Sequence, residues 1–218
     1  MTVPGNYYSH LSRFYVAVDC IILALDGDQL KVLLVKRSFE PEMGKWSLIG
    51  GFVDHDESIT ESAKRVLSTL TGLDNVFIRQ LAAFGEIDRD PGARVVSVAY
   101  YALLNLADVN QEEVESHNAQ WVDVNNLPQL GFDHKEMIEC ALKEIRMKIL
   151  SESLAFNLLP EMFTLTQLQN LVETVTGKTL DKRNFRKHIS EQPSVVPTDL
   201  IDKSSSKRGA RLYRFIGK

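Results

Sequence analysis

Residues 51–73 read GFVDHDESITESAKRVLSTLTGL. Glycines flank this stretch, with Gly50-Gly51 at its start and Gly72 near its end, and glycine is typical of turns and helix ends. Between them the apolar side chains recur at helical spacing, at Ile59, Ala63, Val66, Leu67 and Leu70. The stretch therefore predicts a turn followed by an amphipathic helix over residues 58–71.

The same stretch resembles a Nudix box. The family pattern is Gly-x5-Glu-x7-Arg-Glu-U-x-Glu-Glu-x-Gly-U, in which U is a bulky aliphatic residue. The positions that match in register are Gly51, Glu57, Arg65, Leu67, Gly72 and Leu73. The resemblance implies the fold of the Nudix hydrolases.

Three glutamates of that pattern are missing, and Val66, Thr69 and Leu70 stand in their places. On a helix, positions 66 and 70 are one turn apart, with position 69 beside them. Carboxylates there would form an oxygen site for Mg²⁺, which clamps a pyrophosphate and activates water. Since valine, threonine and leucine provide no such site, we expect no catalytic residue, no metal, no cofactor and no hydrolase activity.

Strand and helix signals alternate through the first 150 residues. Apolar, β-rich runs predict strands at 14–25, 30–35, 46–49, 76–84, 95–104 and 119–124, and helical spacing predicts helices at 58–71 and 135–150. Mixed strands with two helices bury both faces of a sheet, so we expect an α/β/α sandwich. The helical pattern stops within residues 151–160, and we expect a Nudix-like domain over 1–152 and a second domain over 153–218.

Composition excludes several classes of protein. Hydrophobic residues make up 44% and charged residues 25% of the 218 residues, which is ordinary for a globular protein. The longest apolar run, residues 20–25, is too short to cross a bilayer, and the first residues lack the pattern of a signal peptide. The two cysteines, Cys20 and Cys140, have no metal-binding spacing. We therefore expect a cytoplasmic protein with reduced thiols.

Charge is distributed unevenly along the chain. Residues 1–150 contain 14 basic and 22 acidic residues, whereas residues 178–218 contain 11 basic and 4 acidic ones. An acidic first domain with a basic end predicts that the end of the chain binds a polyanion.

The second domain has the signals of a winged helix-turn-helix. Thr164 and Gln167 form a capping-box pattern, Gly177 is placed to end the first helix, and Asp181 to begin a second. In the second helix Phe185 faces inward, which leaves the polar side chains of Lys182, Arg183, Asn184, Arg186 and Lys187 facing outward. Two strand-like runs, 194–201 and 211–215, surround a polar tip and predict the wing.

Both domains together resemble the Nudix-related transcriptional regulators, the NrtR family. The resemblance rests on the degenerate box and on three motifs: FTLTQLQ at 163–169, LDKRNFR at 180–186 and RLYRF at 211–215. It implies a homodimer that binds a palindromic operator and senses a small molecule in its Nudix domain. The sequence is most similar to the arabinose-responsive AraR branch, which implies release from DNA by L-arabinose.

Three alternatives stay open. In the first, the effector is ADP-ribose and the regulator controls NAD metabolism. The protein is a residual Nudix hydrolase whose metal site is rebuilt from other carboxylates, namely Asp54, Asp56, Glu57, Glu61, Glu86 and Asp88. The basic end of the chain binds a protein instead of DNA.

Candidate contact residues follow from these patterns. For the effector cleft we expect Asp19, Arg37, Lys45, Trp46, Asp54 and Glu57. Asp19 is the most informative, because a carboxylate inside an apolar strand needs a partner. For base edges in the major groove we expect Arg183, Asn184 and Arg186. For the DNA backbone we expect Lys182, Lys187, Lys207, Arg208 and Arg211, and we add Thr164 and Thr166 at the start of the first helix.

Overall fold

The computed structural model describes residues 7–72, 76–203 and 209–217, with the backbone alone at residues 70 and 71. The first domain contains β1 Tyr15–Asp26, β2 Gln29–Lys36, β3 Trp46–Ser47, β4 Ile49–Phe52, α1 Ile59–Thr71, β5 Ile78–Phe84, β6 Val95–Asn105, α2 Gln111–Ser116, β7 Ala119–Asp123 and α3 His134–Lys148. The second contains β8 Met162–Thr164, α4 Leu165–Thr176, α5 Lys182–Ser190, β9 Val195–Asp202 and β10 Ala210–Phe215.

A mixed sheet forms the centre of the first domain. Its order is β3-β2-β1-β6-β5, with β4 also on β1 and β7 also on β2. β1 runs parallel to β6 and antiparallel to β2 and β4. Because β1 is covered on both faces, residues 17–24 form a nearly continuous buried run in which Asp19 is the charged residue.

Helices cover both faces of this sheet, so the predicted α/β/α sandwich is confirmed. One apolar layer packs the sheet against α1 and α2, with Ala63, Val66 and Leu67 of α1 and Val114 of α2 buried. The opposite layer packs it against α3, which buries Met137, Ile138, Ala141, Leu142 and Ile145.

The predicted box helix is α1. Ser58 accepts a hydrogen bond from the N–H of Glu61, and the Glu61 carboxylate accepts one from the N–H of Ser58, which completes a capping box. Gly72 ends the helix in the left-handed region, at φ 67°. Ile59, expected in the apolar stripe, is 37% exposed, so the buried stripe begins at Ala63.

The second domain has the predicted winged helix-turn-helix arrangement. Thr164 and Gln167 cap α4 in the expected box, Gly177 ends α4, and Asp181 caps α5. One difference is a short strand, β8, immediately before α4, which completes a three-stranded sheet in the order β8-β10-β9.

The two domains share one apolar layer. Leu168, Leu171 and Val172 of α4 belong to the same buried cluster as α3 and one face of the sheet. The Arg146 Nε, in the last turn of α3, donates to the carbonyl of Val175 on α4 at 3.0 Å. α3 therefore connects the sheet to the first helix of the second domain.

Two smaller expectations concern cysteines and membranes. Cys20 is buried and Cys140 half-buried, and both are free thiols. Burial raises the pKa of the Cys20 thiol far above its usual value, and the neighbouring Asp19 adds to the effect. None of the helices in the described part of the chain combines the length and apolar content that crossing a membrane requires.

Candidate functional site

A cavity of about 360 Å³ opens between the central sheet and the start of α3. Its walls come from β1, the β2–β3 connection, β4, the loop after β5, and the segment entering α3. The side chains that carry chemistry there are Asp19, Arg37, Ser47, Arg89, Asp90, His117, Asn118 and His134. We refer to this space as the cavity.

Asp19 is held at its inner wall by three neighbours. The Ser97 hydroxyl donates to Oδ2 at 2.6 Å, Arg89 Nη2 lies 3.4 Å from the same oxygen, and His134 Nε2 lies 3.4 Å from Oδ1. Burial alone would raise the pKa of Asp19, but His134, Ser97 and Arg89 together outweigh burial and lower it below its ordinary value. The prediction that Asp19 requires partners is confirmed.

The tautomer of His134 follows from its contacts. The backbone N–H of Leu48 donates to Nδ1 at 3.1 Å, and the Ser47 hydroxyl lies 3.3 Å from the same nitrogen. Since a backbone N–H is always a donor, Nδ1 is the acceptor and Nε2 carries the proton that faces Asp19. The imidazole thus links the start of α3 to β1 and to the β3–β4 junction.

Arg89 connects the same carboxylate to Asp133. Its Nε and Nη2 donate to the two Asp133 oxygens at 2.9 and 2.7 Å, a bidentate pair, while Nη2 also faces Asp19. The Arg89 side chain is only 4% exposed. Asp133 makes no side-chain hydrogen bond to the α3 terminus, so its carboxylate serves Arg89 instead.

Gly50 is required by the close approach of Asp19. A Cβ built at Gly50 would lie 2.2 Å from Asp19 Oδ1 and 2.8 Å from the carbonyl oxygen of Val18. Only a residue without a side chain leaves room for the carboxylate in this wall. The predicted turn glycine therefore has a second role, inside the cavity.

Arg37 forms the outer wall. Its guanidinium lies 4.5 Å from the ring centre of Phe39 and 4.9 Å from that of Phe132, and its Nε donates to the Pro41 carbonyl at 2.8 Å. Such cation–π contacts fix the orientation of the group while its charge remains available. Of the six residues predicted for the cleft, Asp19 and Arg37 line the cavity.

The other four lie elsewhere. Lys45 forms an ion pair with Glu42. Trp46 lines a neighbouring open groove of about 1240 Å³, which we call the tryptophan groove. Asp54 and Glu57 are near Arg65 on α1, outside the cavity.

Glu57 and Arg65, two matched residues of the box, form a structural pair. Arg65 Nε donates to Glu57 Oε2 at 2.8 Å, and Arg65 Nη2 donates to the carbonyl of Phe52 at 3.0 Å. The hydrogen bonds that Arg65 donates to the Glu57 carboxylate, with one from the N–H of Asp54, lower the pKa of Glu57 to about 2. The pair fixes the loop between β4 and α1.

The three box positions that lack the expected glutamate differ in burial. Val66 is 3% exposed, and a Cβ at Gly51 would lie 2.9 Å from its Cγ2, so Val66 packs directly over Gly51. Thr69 is exposed, and Leu70 is described by its backbone alone. Across the described residues, no group of three or more His, Cys, Asp or Glu side chains is arranged to hold a metal ion. Glu57 and Glu61, two of the spare carboxylates, are occupied by Arg65 and by the α1 cap.

The second domain presents a basic helix face. Phe185 and Ile189 bury one side of α5, while the opposite side exposes Lys182, Arg183, Asn184, Arg186 and Lys187. Arg211 on β10 and Thr166 on α4 are also exposed. Thr164 is 3% exposed and its hydroxyl caps α4, so the structure gives it a role in the helix. Lys207 and Arg208 lie outside the described residues.

Sequence reasoning missed Arg89, Ser97, Asp133 and His134. Arg89 lies in a polar turn, where a charged residue is unremarkable, and its burial depends on the loops closing over it. Ser97 lies on β6 directly beside Ala17, and only the register of β1 with β6 brings it near Asp19. No local sequence signal identifies either residue.

Two family models match the chain. The NUDIX domain matches residues 13–140, and the NrtR DNA-binding winged helix domain matches residues 155–215. The chain is 37% identical over 204 residues to the ADPR responsive transcriptional repressor NtrR of Acinetobacter baylyi, covering 92% of this chain and 81% of that protein.

Solved structures give the same result. Shewanella oneidensis NrtR complexed with a 27mer DNA is 32% identical with a TM-score of 0.80, covering 92% of this chain and 93% of that one. The NUDIX domain of the same protein complexed with ADP ribose is 33% identical with a TM-score of 0.54, covering 64% and 94%. The expectation of an AraR-like protein finds no support in these relatives. With the Nudix sandwich, the capped helix pair and the wing all in place, the chain belongs to the NrtR family of Nudix-related transcriptional repressors.

Proposed function

We propose that this protein binds a palindromic operator as a homodimer and is released by a small molecule bound in its Nudix domain. Residues 1–152 would form the effector and dimer domain, and residues 153–218 the DNA-binding domain. The observation that carries the proposal is the exposed basic face of α5, next to a capped α4 and a wing. An exposed recognition helix with this charge fits the major groove of B-DNA.

The roles of the α5 residues follow from side-chain chemistry. Arg183, Asn184 and Arg186 have the planar or bidentate groups that read base edges, whereas Lys182 and Lys187 are suited to phosphates. Arg211, Lys207 and Arg208 would contact the backbone from the wing, and Thr166 from the start of α4. Half-sites would lie about one or two helical turns apart, each roughly 34–36 Å.

A matched pair of variants tests this assignment. Arg186→Ala should weaken operator binding by about 1–3 kcal/mol with little effect on random DNA, because it removes a base contact. Lys187→Gln should weaken both complexes similarly and reduce the salt dependence by about one counterion. Both are measured by fluorescence anisotropy over a range of salt. Equal losses on both DNAs for Arg186→Ala would reassign it to a phosphate, and tight salt-insensitive binding would exclude the assignment of α5.

ADP-ribose is the effector that we propose first. An Acinetobacter baylyi relative is named as ADPR responsive, and the Nudix domain of a Shewanella oneidensis relative was solved with ADP ribose. L-Arabinose is the second candidate, on one specific observation. The inner wall of the cavity presents a carboxylate, an imidazole and a serine hydroxyl, groups that bind sugar hydroxyls, beside the aromatic rings of Phe39 and Phe132.

Thermal shift decides between them. A ligand at about 100 times its Kd stabilises a protein by roughly 2.7 kcal/mol, which gives a clear change in Tm. We expect stabilisation by ADP-ribose and none by L-arabinose or D-xylose. Stabilisation by arabinose alone would transfer the regulator to sugar utilisation.

We further propose that the protein does not hydrolyse its effector. Val66 fills the position of the first missing glutamate with a buried apolar side chain, which leaves no room for a hydrated cation. Incubation of ADP-ribose with the protein and Mg²⁺, followed by chromatography, should return it intact. Formation of AMP would restore the hydrolase alternative.

A further inference from the structure

Residues 131–134, which we call the α3 entry, begin α3 differently from the way the other long helices begin. Ser58, Thr164 and Asp181 have extended backbones, with ψ between 120° and 159°, and each caps its helix with a side-chain oxygen. Asp133 occupies the corresponding position of α3 with ψ at 18°, and its carboxylate makes no cap hydrogen bond. The first N–H groups of α3 therefore receive nothing from a residue type that usually caps them.

The Asp133 carboxylate is held by Arg89 instead, through the bidentate pair described above. Arg89 also lines the cavity. An acceptor group on a ligand in the cavity would bind the same N–H groups of Arg89 and compete with Asp133 for them. Asp133 thus has two alternative partners, the Arg89 guanidinium and the terminus of α3.

Phe132, directly before Asp133, carries backbone strain. Its φ is 54°, in the left-handed region that a bulky side chain disfavours. Its ring belongs to the cavity wall, 5.1 Å between centres from the ring of His134. Rotation of Phe132 into the extended region would relieve the strain and redirect Asp133 from Arg89 toward the helix terminus. Strain of this kind beside a ligand space is typical of segments that have two conformations.

The opposite end of α3 is linked to the recognition helix. Arg146 donates to the carbonyl of Val175 in the last turn of α4. In the same turn the Glu173 carboxylate accepts the N–H of Leu180 at 2.8 Å, directly before Asp181, which caps α5. A shift of α3 would therefore reach the start of α5 through a single turn of α4.

We propose that the α3 entry is a two-state switch that sets the position of the recognition helix. In the operator-binding state Asp133 pairs with Arg89 and Phe132 is left-handed, as observed. In the released state a ligand engages Arg89, Phe132 relaxes, and Asp133 caps α3, which moves the far end of that helix. Asp133 and Arg89 are thus positioning residues. The switch rests on the proposed function, since it is the device by which an effector would weaken operator binding.

Two substitutions of Asp133 separate the states. Asparagine is a good N-cap and brings no charge to Arg89, so Asp133→Asn should favour the released state. Glutamate keeps the charge and is not a preferred N-cap, so Asp133→Glu should favour the operator-binding state. Without any ligand, Asp133→Asn should bind the operator at least roughly fivefold more weakly than Asp133→Glu, the lower end of allosteric couplings. Fluorescence anisotropy with the full chain measures both affinities.

ADP-ribose extends the test. In calorimetry without DNA, Asp133→Asn should bind ADP-ribose at least as tightly as wild type does, because the ligand no longer competes for Arg89. Asp133→Glu should bind it more weakly and should stay on the operator at an ADP-ribose concentration that releases wild type. Asp108→Asn makes the same change of charge at an exposed position between β6 and α2 and should behave like wild type in both assays.

The outcomes separate the switch from the proposed function. Equal losses of operator affinity and of Tm in both Asp133 variants would give Asp133 a structural role alone and overturn the switch. Affinities equal to wild type, or the opposite order of affinities, would overturn it as well. If the variants differ as expected while ADP-ribose does not bind, the switch stands and ADP-ribose is not the effector. Failure of the wild-type protein to bind operator would overturn the proposed function, and the switch with it.

Discussion

Asp19 lies in the continuous buried run of β1, and its carboxylate is stabilised there by Ser97, His134 and Arg89. A charged group inside an apolar strand stands out in sequence because its burial is costly without partners. The partners themselves are distant in sequence, and each is supplied by a different element. One residue thus holds together β1, β6, the loop after β5 and the start of α3.

Asp19→Asn should reduce the free energy of unfolding by about 2–3 kcal/mol at pH 7, since hydrogen bonds to charged groups contribute about that much. The pKa of Asp19 is lowered in the folded protein, so its contribution is complete above about pH 4 and is lost as pH falls through the lowered value. The difference between wild type and variant, measured by urea unfolding, should therefore shrink as the pH falls below the ordinary pKa of an aspartate. A difference that is independent of pH would contradict an ionised Asp19.

Val66→Glu and Thr69→Glu each return one glutamate to the box, yet we expect them to change the free energy of unfolding by very different amounts. Val66 is buried over Gly51, so the glutamate would place a charge in an apolar layer and cost about 3 kcal/mol or more. Thr69 is exposed, and its substitution should stay within about 0.5 kcal/mol. Val66→Ala separates the loss of volume from the added charge. Similar stability of both glutamate variants in thermal unfolding would show that position 66 tolerates water.

Of the residues that line the cavity, the sequence predicted two, Asp19 and Arg37. Asp19 is the one that conflicts with its surroundings, because it is a carboxylate inside an apolar strand. Trp46 was expected in the cavity, but side chains alternate along a strand, and β3 directs its neighbour Ser47 to that side. Arg89 lies in a polar turn and Asp133 immediately before α3, and only the three-dimensional fold brings the two side chains together.

At the scale of elements, the helices that begin at a capping residue were predicted close to their observed positions. Thr164 and Asp181 cap α4 and α5 by accepting backbone hydrogen bonds, as the sequence predicted. Ser58 caps α1 in the same way, although its role as a cap was not predicted. α2 was missed because six residues, QEEVES, contain a single apolar side chain and give no periodic pattern. β8 was missed because its three residues, the last of which is the α4 cap Thr164, are too few to show a strand pattern, and pairing with β10 creates the strand.

Asp181→Ala should destabilise α5, because the Asp181 carboxylate accepts the N–H of Asn184 at 2.8 Å. Loss of an N-cap costs about 1 kcal/mol, and weaker operator binding should accompany it, since α5 carries the proposed base contacts. Asp181→Asn keeps the acceptor and serves as the control, with near wild-type stability in chemical denaturation. Equal losses in both variants would mean that the charge, and not the cap, stabilises this terminus.

The whole molecule is joined by a common apolar layer that runs from the sheet through α3 to α4. Folding units that share a core unfold together. We therefore expect a single calorimetric transition for the full chain, raised as a whole by any ligand of the first domain. Two separate transitions would show that the shared layer is too weak to couple the domains.

Arg146→Ala should lower the Tm of that transition, because it removes the hydrogen bond from α3 to the Val175 carbonyl. A bond to a charged donor contributes about 1.5–3 kcal/mol. Lys135→Ala on the same helix, whose side chain is 72% exposed, should change stability by no more than about 0.5 kcal/mol. If calorimetry gives the two variants the same Tm, Arg146 does not support the domain contact.

α3 begins at the cavity, with Asp133 and His134, and reaches α4 through Arg146 roughly 20 Å away. In a repressor built this way, one helix connects the cavity to the DNA-binding domain. Thermodynamic linkage then makes the effect of each ligand on the affinity for the other reciprocal. If the effector lowers the affinity of the protein for the operator by some factor, the operator lowers the affinity of the protein for the effector by the same factor. Protein bound to an operator would then need a higher effector concentration than free protein to reach the same effector occupancy. The number of operator copies in a cell would thereby help to set the dose at which the gene responds.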